Sequence, residues 1–232
     1  MDVMVIVYWI DYMEDITLII PAKNESENIG VVINQIEKLS LNYFIILDKK
    51  DYHTLDAVKN KDKVIFQDLS GFGNAILSGV KNLKTKYFCI LFSDGSTNPE
   101  EIPQLYNHLK KTNSDFVFGS RYLKNASSDD DTFITFLGNQ IFTFLGKILF
   151  NLKISDILYT FVIGKTDCIK KLNLNSQDFS FCVELPILAN KNNFLITDYP
   201  CHERSRMSGK KNVNELIDGL KILFKMIKLY VS

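Results

Sequence analysis

Apolar positions in the first 120 residues alternate between two patterns. Short continuous runs occur at residues 16–20 (ITLII), 43–47 (YFIIL), 64–66 (VIF), 87–92 (YFCILF) and 116–118 (FVF). Such runs, bounded by turn residues, read as buried strands. Between them, Ile29, Val32, Ile33, Ile36 and Leu39 recur at helical spacing, as do Ala75, Ile76, Gly79 and Val80 behind Gly71 and Gly73. Further helices are predicted at 54–59 and 99–111. Asn24 and Glu27 have the spacing of a capping box for the first of these helices. Strand alternating with helix predicts an α/β fold with a parallel, doubly wound sheet.

The second half is less regular. A loop is predicted at 119–131, ending in the acidic run ASSDDD, and a Phe-rich helix at 133–152. A strand near 161–164, a helix at 182–190, a strand at 194–199 and the basic loop HERSRMSGKKN follow. In the last segment, 213–231, Leu216, Ile217, Leu220, Leu223, Phe224 and Ile227 share one face, with Lys221, Lys225 and Lys228 off it. No repeat or linker divides the chain. One domain is expected over 14–232.

With 27 basic and 27 acidic residues the net charge is zero, which argues against a nucleic-acid partner. Cys89, Cys168, Cys182 and Cys201 are far apart, without a C-x-x-C pair, and read as reduced thiols in a cytoplasmic setting. The N-terminal run MDVMVIVYWIDYMED lacks the basic start and the cleavage site of a signal peptide. The 133–152 stretch is interrupted by Gly138, Asn139, Gln140, Gly146 and Lys147, so it is suited to lying on a membrane more than to crossing one.

Four pieces of chemistry fall at predicted strand ends. They are Pro21-Ala-Lys-Asn-Glu25, Asp48, Asp94 and Gly-Ser-Arg121, all on the carboxyl edge where open α/β sheets bind ligands. Carboxylates there suit a base, a ribose or a divalent cation, and an arginine suits a phosphate. Each piece has a plainer reading as a cap, a turn or a surface charge, and only their order and topology favour a nucleotide-diphosphate site. Competing motifs fail. Ile76 stands where G-x-G-x-x-G needs a third glycine, no G-K-[ST] follows, and the three histidines form no pattern.

Six segments occur in order along the chain: IIPAKNESENI, SGFGNAILSGV, FSDGSTNPEEI, DFVFGSRY, FLGNQIFTFLGKILFNLKISDILYTF and RMSGKKNVNELIDG. Together they resemble an inverting family 2 glycosyltransferase of GT-A fold, of the dolichyl-phosphate mannose or glucose synthase type. The resemblance implies a nucleotide-binding half (14–122) and an acceptor half (123–232), and that Pro21, Lys23, Glu25, Ile46, Asp48, Gly73 and Ser93 hold the nucleotide. It implies that Asp94, with Ser96, binds Mg2+ or Mn2+, and that Arg121, Arg206 and Glu184 join Asp94 in catalysis. Arg204, Lys210 and Lys211 would meet the acceptor phosphate. The implied donor is a GDP- or UDP-sugar, and the implied acceptor a dolichyl or undecaprenyl phosphate, met by peripheral contact at the cytoplasmic face of a membrane. A homo-oligomer is left open. So are two alternatives: a degenerate relative that only binds nucleotide-sugar, and a transferase to a soluble or cell-surface glycan hydroxyl. The chain departs from the pattern at Phe92, where a D-x-D motif has its first Asp, at LDKKDYHT, where an acid is missing, and at Asn212.

Overall fold

The computed structural model describes residues 14–209 and 213–231. The N-terminal apolar run, Lys210 and Lys211 lie outside the described residues.

Seven strands form the main sheet, in the order β3-β2-β1-β4-β7-β5-β8. They are β1 (Ile16–Ala22), β2 (Asn42–Leu47), β3 (Val64–Phe66), β4 (Tyr87–Ile90), β5 (Phe116–Ser120), β7 (Val162–Lys165) and β8 (Ile196–Pro200). Two short strands, β6 (Ser127–Ser128) and β9 (His202–Glu203), pair separately in parallel. All neighbours in the main sheet are parallel except β7, which runs antiparallel between β4 and β5. The expected sheet is therefore present, with one inverted strand at its centre. Apolar runs identify a buried strand but carry no information on its direction.

Alternate strand residues feed two cores, one on each face, as the period of two requires. Ile19, Ile46, Phe88, Ile90 and Phe116 point to one side; Leu18, Ile20, Ile45, Cys89 and Ile163 point to the other. Helices α1 (Ile29–Lys38) and α4 (Ile102–Thr112) cover the second side, and a short helix α2 (Tyr52–Ala57) follows β2. The first side takes α3 (Phe72–Asn82), α5 (Phe133–Phe150), α6 (Thr166–Lys171), α7 (Phe181–Lys191) and α8 (Glu215–Val231). Gly79 lets α3 lie close on β1, because a Cβ there would stand 2.6 Å from the Ile19 side chain.

Two local expectations change. Helix α1 starts at Ile29, so Asn24 does not cap it. Asn24 instead turns the chain with φ of 57°, and its N–H donates to Asp51 Oδ2 at 2.7 Å. On α8, the face carrying Leu216, Ile217, Leu220, Phe224 and Ile227 is exposed. The buried side is Asp218, Ile222, Met226 and Leu229. Helix α5 behaves alike: Asn139, Thr143, Gly146 and Phe150 are buried, while Phe133, Ile134, Phe136, Leu137, Ile141, Phe144 and Ile148 are exposed. Among the described residues α5 is the one helix long and apolar enough to cross a membrane, and 22% of it is buried.

Candidate active site

Strand β1 pairs with β2 on one side and β4 on the other, so the sheet order reverses there and opens a crevice at the carboxyl ends. A cleft of about 470 Å³ occupies it. Pro21, Lys23, Glu25, Ser93, Asp94, Ser96, Arg121 and Arg206 all line this cleft.

The segment after β4 is built as a tight loop. The Phe92 N–H donates to Thr97 Oγ1 at 3.0 Å, and Ser93 Oγ donates to the Pro21 carbonyl at 2.8 Å. Asp94 Oδ1 accepts from both the N–H and the hydroxyl of Ser96, at 3.0 and 2.7 Å. Gly95 has φ of 81° and lies against Met207, where any Cβ would collide. This fixes Asp94 with its second oxygen turned to Arg206, whose Nη2 stands 2.8 Å away.

Arg206 also donates through Nη1 to Glu25 Oε1 at 3.2 Å. Glu25 is 3% exposed, and its other oxygen accepts from Asn28 Nδ2 at 2.6 Å. Burial pushes the Glu25 carboxyl above its ordinary range, against the pull of Asn28 and Arg206. The loop before α1 is tied down by Asp51 and Thr54, whose hydroxyl accepts the Glu25 N–H at 2.9 Å.

Arg121 is caged. Its guanidinium forks onto Asp156 at 2.7 and 3.0 Å, reaches Glu203 at 3.2 Å and lies 3.6 Å from Asp131. Tyr122 and Tyr159 hold their rings 5.2 and 4.8 Å from it. Burial works against the charge, but Asp156 outweighs it and keeps Arg121 well above its usual value. Burial raises the Glu203 carboxyl despite the same arginine. Arg121 thus lines the cleft as a buried, paired group rather than as an open phosphate receptor.

An aromatic floor completes the cleft. Phe72 stacks on Phe179 at 5.0 Å and meets Phe92 edge-on at 6.3 Å; Phe92 meets Tyr159 at 5.9 Å. Phe92 therefore puts hydrocarbon where a second carboxylate is expected. Among the described residues no three His, Cys, Asp or Glu side chains form a metal cluster. The donor set still fits a hard cation of the kind held by one carboxylate and substrate phosphates. Asp94 has one oxygen already facing a cationic group, and eight carboxylates against four cationic side chains line the cleft among the described residues. That excess would oppose a bare diphosphate and favours one that brings a cation.

Several expected residues are not brought to the cleft. Ile46 is fully buried in the core, and Gly73 packs against the Ser176 and Asp178 carbonyls. Asp48 accepts from Ser70 and from the Lys50 N–H, outside the cleft lining. Arg204 lines a smaller depression with Lys38 and Glu100. Glu184 is fully buried, accepting the Asn175 and Ser176 N–H groups and pairing with Lys225 at 2.6 Å. Asn28, Asp51, Asp131 and Glu203 also shape the site, although their segments, IIPAKNESENI, LDKKDYHT, ASSDDD and the basic loop HERSRMSGKKN, single out none of them.

Sheet order and switch-point cleft together define a GT-A fold. Residues 17–172 match the family described as Glycosyl transferase family 2, and the chain belongs to that family. The chain is 24% identical over 226 residues to a dolichol-phosphate mannosyltransferase of Pyrococcus furiosus, covering 92% of this chain and 64% of that protein. It is 25% identical over 242 residues to a UDP-N-acetylglucosamine–dolichyl-phosphate N-acetylglucosaminyltransferase of Methanococcus voltae, covering 92% and 95%. Glucosyl-3-phosphoglycerate synthase of Mycobacterium tuberculosis, in complex with Mn2+, UDP and phosphoglyceric acid, shares the fold with a TM-score of 0.71. That match covers 93% of this chain and 78% of the other at 14% identity.

Proposed function

We propose that this glycosyltransferase moves a sugar from a GDP- or UDP-sugar to a polyprenyl phosphate at the cytoplasmic face of a membrane. The observation that carries the reading is the continuity of the cleft. It runs from Asp94 and Arg206 to Thr135 and Asn139 of α5 and to Ile222 of α8, two helices whose outer faces are apolar and exposed. Such faces suit the interface between headgroups and acyl chains. The dolichyl-phosphate relatives support the same acceptor class.

In this reading Lys23, Glu25 and Ser93 hold the nucleoside end. Asp94 would hold Mg2+ or Mn2+ together with the donor's phosphates, and that ion supplies charge neutralisation for the leaving diphosphate. Arg206 adds a second positive group on the same side. Arg121, locked by Asp156, positions the wall formed by Tyr122 and Tyr159. The aromatic floor keeps water from the anomeric carbon. The acceptor phosphate is already anionic near neutral pH, so it attacks from the face opposite the diphosphate, with inversion, without a strong base. Lys210 and Lys211 would draw that phosphate in.

One observation favours a second acceptor class. Asp131 and Glu203 line the cleft beside Arg121, and burial raises the Glu203 carboxyl. A carboxylate there offers a base to a glycan hydroxyl. The deciding experiment gives the protein radiolabelled UDP- and GDP-sugars with Mg2+ or Mn2+ and vesicles containing polyprenyl phosphate. Label extracted into organic solvent is expected. Label confined to water-soluble glycan would replace the acceptor, and binding without any transfer would leave only a nucleotide-sugar-binding protein.

A further inference from the structure

We propose that Arg206 is an exchangeable counter-cation. It neutralises Asp94 and Glu25 while the donor site is empty, and it turns onto the diphosphate when a divalent cation takes Asp94. The inference rests on the nucleoside-diphosphate reading of the cleft.

The guanidinium bridges two acids from different loops, Asp94 at 2.8 Å and Glu25 at 3.2 Å, through one nitrogen each. Both acids are well shielded, with 17% and 4% of their side chains exposed. Two such carboxylates facing one cleft need a cation between them, and Arg206 supplies it. A divalent ion on Asp94 supplies twice the charge and repels the guanidinium, since two cations at one carboxylate oppose each other at short range. The diphosphate then offers Arg206 a new anionic partner.

The surroundings permit the exchange. Asp94 keeps its orientation through Ser96, which binds only Oδ1, so Oδ2 is the oxygen that changes partner. Besides a 3.4 Å contact from Arg206 Nη1 to the Ser208 carbonyl, the loop bearing Arg206 is held by bonds that do not involve its guanidinium. Arg204 N–H donates to the Ser96 carbonyl at 2.8 Å, and Met207 N–H to the Asp94 carbonyl at 3.0 Å. Ser208 Oγ donates to Asn28 Oδ1 at 2.6 Å. The side chain can therefore turn while the loop stays docked. Arg121 has no such freedom, because both arms of its fork rest on buried Asp156.

The test uses the full chain with Arg206→Gln and Arg206→Lys. Mn2+ binding is measured without nucleotide by the loss of the free Mn2+ spin-resonance signal. UDP and GDP binding is then measured calorimetrically at saturating Mn2+. Arg206→Gln is expected to bind Mn2+ alone about tenfold more tightly and the nucleotide about tenfold more weakly, within the usual span of coupling between sites. Arg206→Lys, which keeps the charge but cannot bridge both acids, should fall between and serves if the Gln variant does not fold. The opposite signs separate exchange from a structural staple, whose loss would weaken both. Unchanged or weaker Mn2+ binding, or unchanged nucleotide binding, would overturn the exchange alone. Failure of both nucleotides to bind the wild-type chain would overturn the nucleotide reading, and the exchange with it.

Discussion

Lys225 and Glu184 form a nearly closed ion pair, 2.6 Å from Nζ to Oε1, that pins α8 to α7. The two side chains are 11% and 1% exposed. Glu184 also takes two backbone N–H groups, and Lys225 reaches Asn175 Oδ1 at 2.8 Å. Removing the lysine alone strands a buried carboxylate. Lys225→Met should cost about 3 kcal/mol in urea unfolding, and adding Glu184→Gln should return much of it. Additive losses would show that the pair is not coupled.

Phe92→Asp restores an acid two residues before Asp94 and removes the ring that touches Phe72 and Tyr159. Tighter Mn2+ binding is expected together with a stability loss of about 1–3 kcal/mol. Titration of Mn2+ and thermal melting of the same sample read both. Unchanged Mn2+ affinity would mean that this position does not reach the cation.

Glu203→Gln tests the Arg121 cage by pH. Burial raises the folded-state pKa of Glu203 above its ordinary 4.5, so the folded chain holds this proton to a higher pH than the unfolded chain. Its contribution is then complete below the unfolded value and is lost as pH rises through the folded value. Glutamine does not ionise and escapes that loss. As pH rises above the unfolded value of 4.5, stability should move in favour of the variant. Parallel pH curves would refute the assignment.

Phe224 is 68% exposed on α8. Phe224→Asp should therefore change stability by no more than about 0.5 kcal/mol. It should nevertheless cut co-sedimentation with anionic lipid vesicles several-fold. Equal sedimentation of the two proteins would remove α8 from the proposed membrane contact.

The strand-end chemistry was legible because it is local. A buried run that stops at Ser93-Asp94-Gly95, or at Gly-Ser-Arg121, announces a sheet edge on its own. What surrounds those residues was not legible, since it comes from afar. Arg121 meets Asp156 and Glu203 across 35 and 82 positions, and Arg206 meets Asp94 across 112. Helical spacing identified the residues that share a face of α8, but not that this face points outward. Glu184 looked like an acid near an acceptor because its helix neighbours fit; its true partner, Lys225, sits on another helix. Phe92 was legible as a departure, but its place in an aromatic floor depends on Phe72 at the start of α3 and Phe179 in the turn before α7.

The inverted strand β7 has a consequence for biosynthesis. Strands β4 and β5 never touch as ladder partners; each pairs with β7, and β5 then carries β8. A nascent chain that has emerged only as far as β5 holds a three-strand parallel unit joined to β4, with the next strand unable to dock. Its open edge persists until residue 165 leaves the ribosome, and β8 must wait longer still. Non-local pairing of this kind slows folding and prolongs exposure of a sticky edge. The inverted strand therefore makes completion of the sheet a late step, and shielding of the nascent chain matters most over the stretch between β5 and β7.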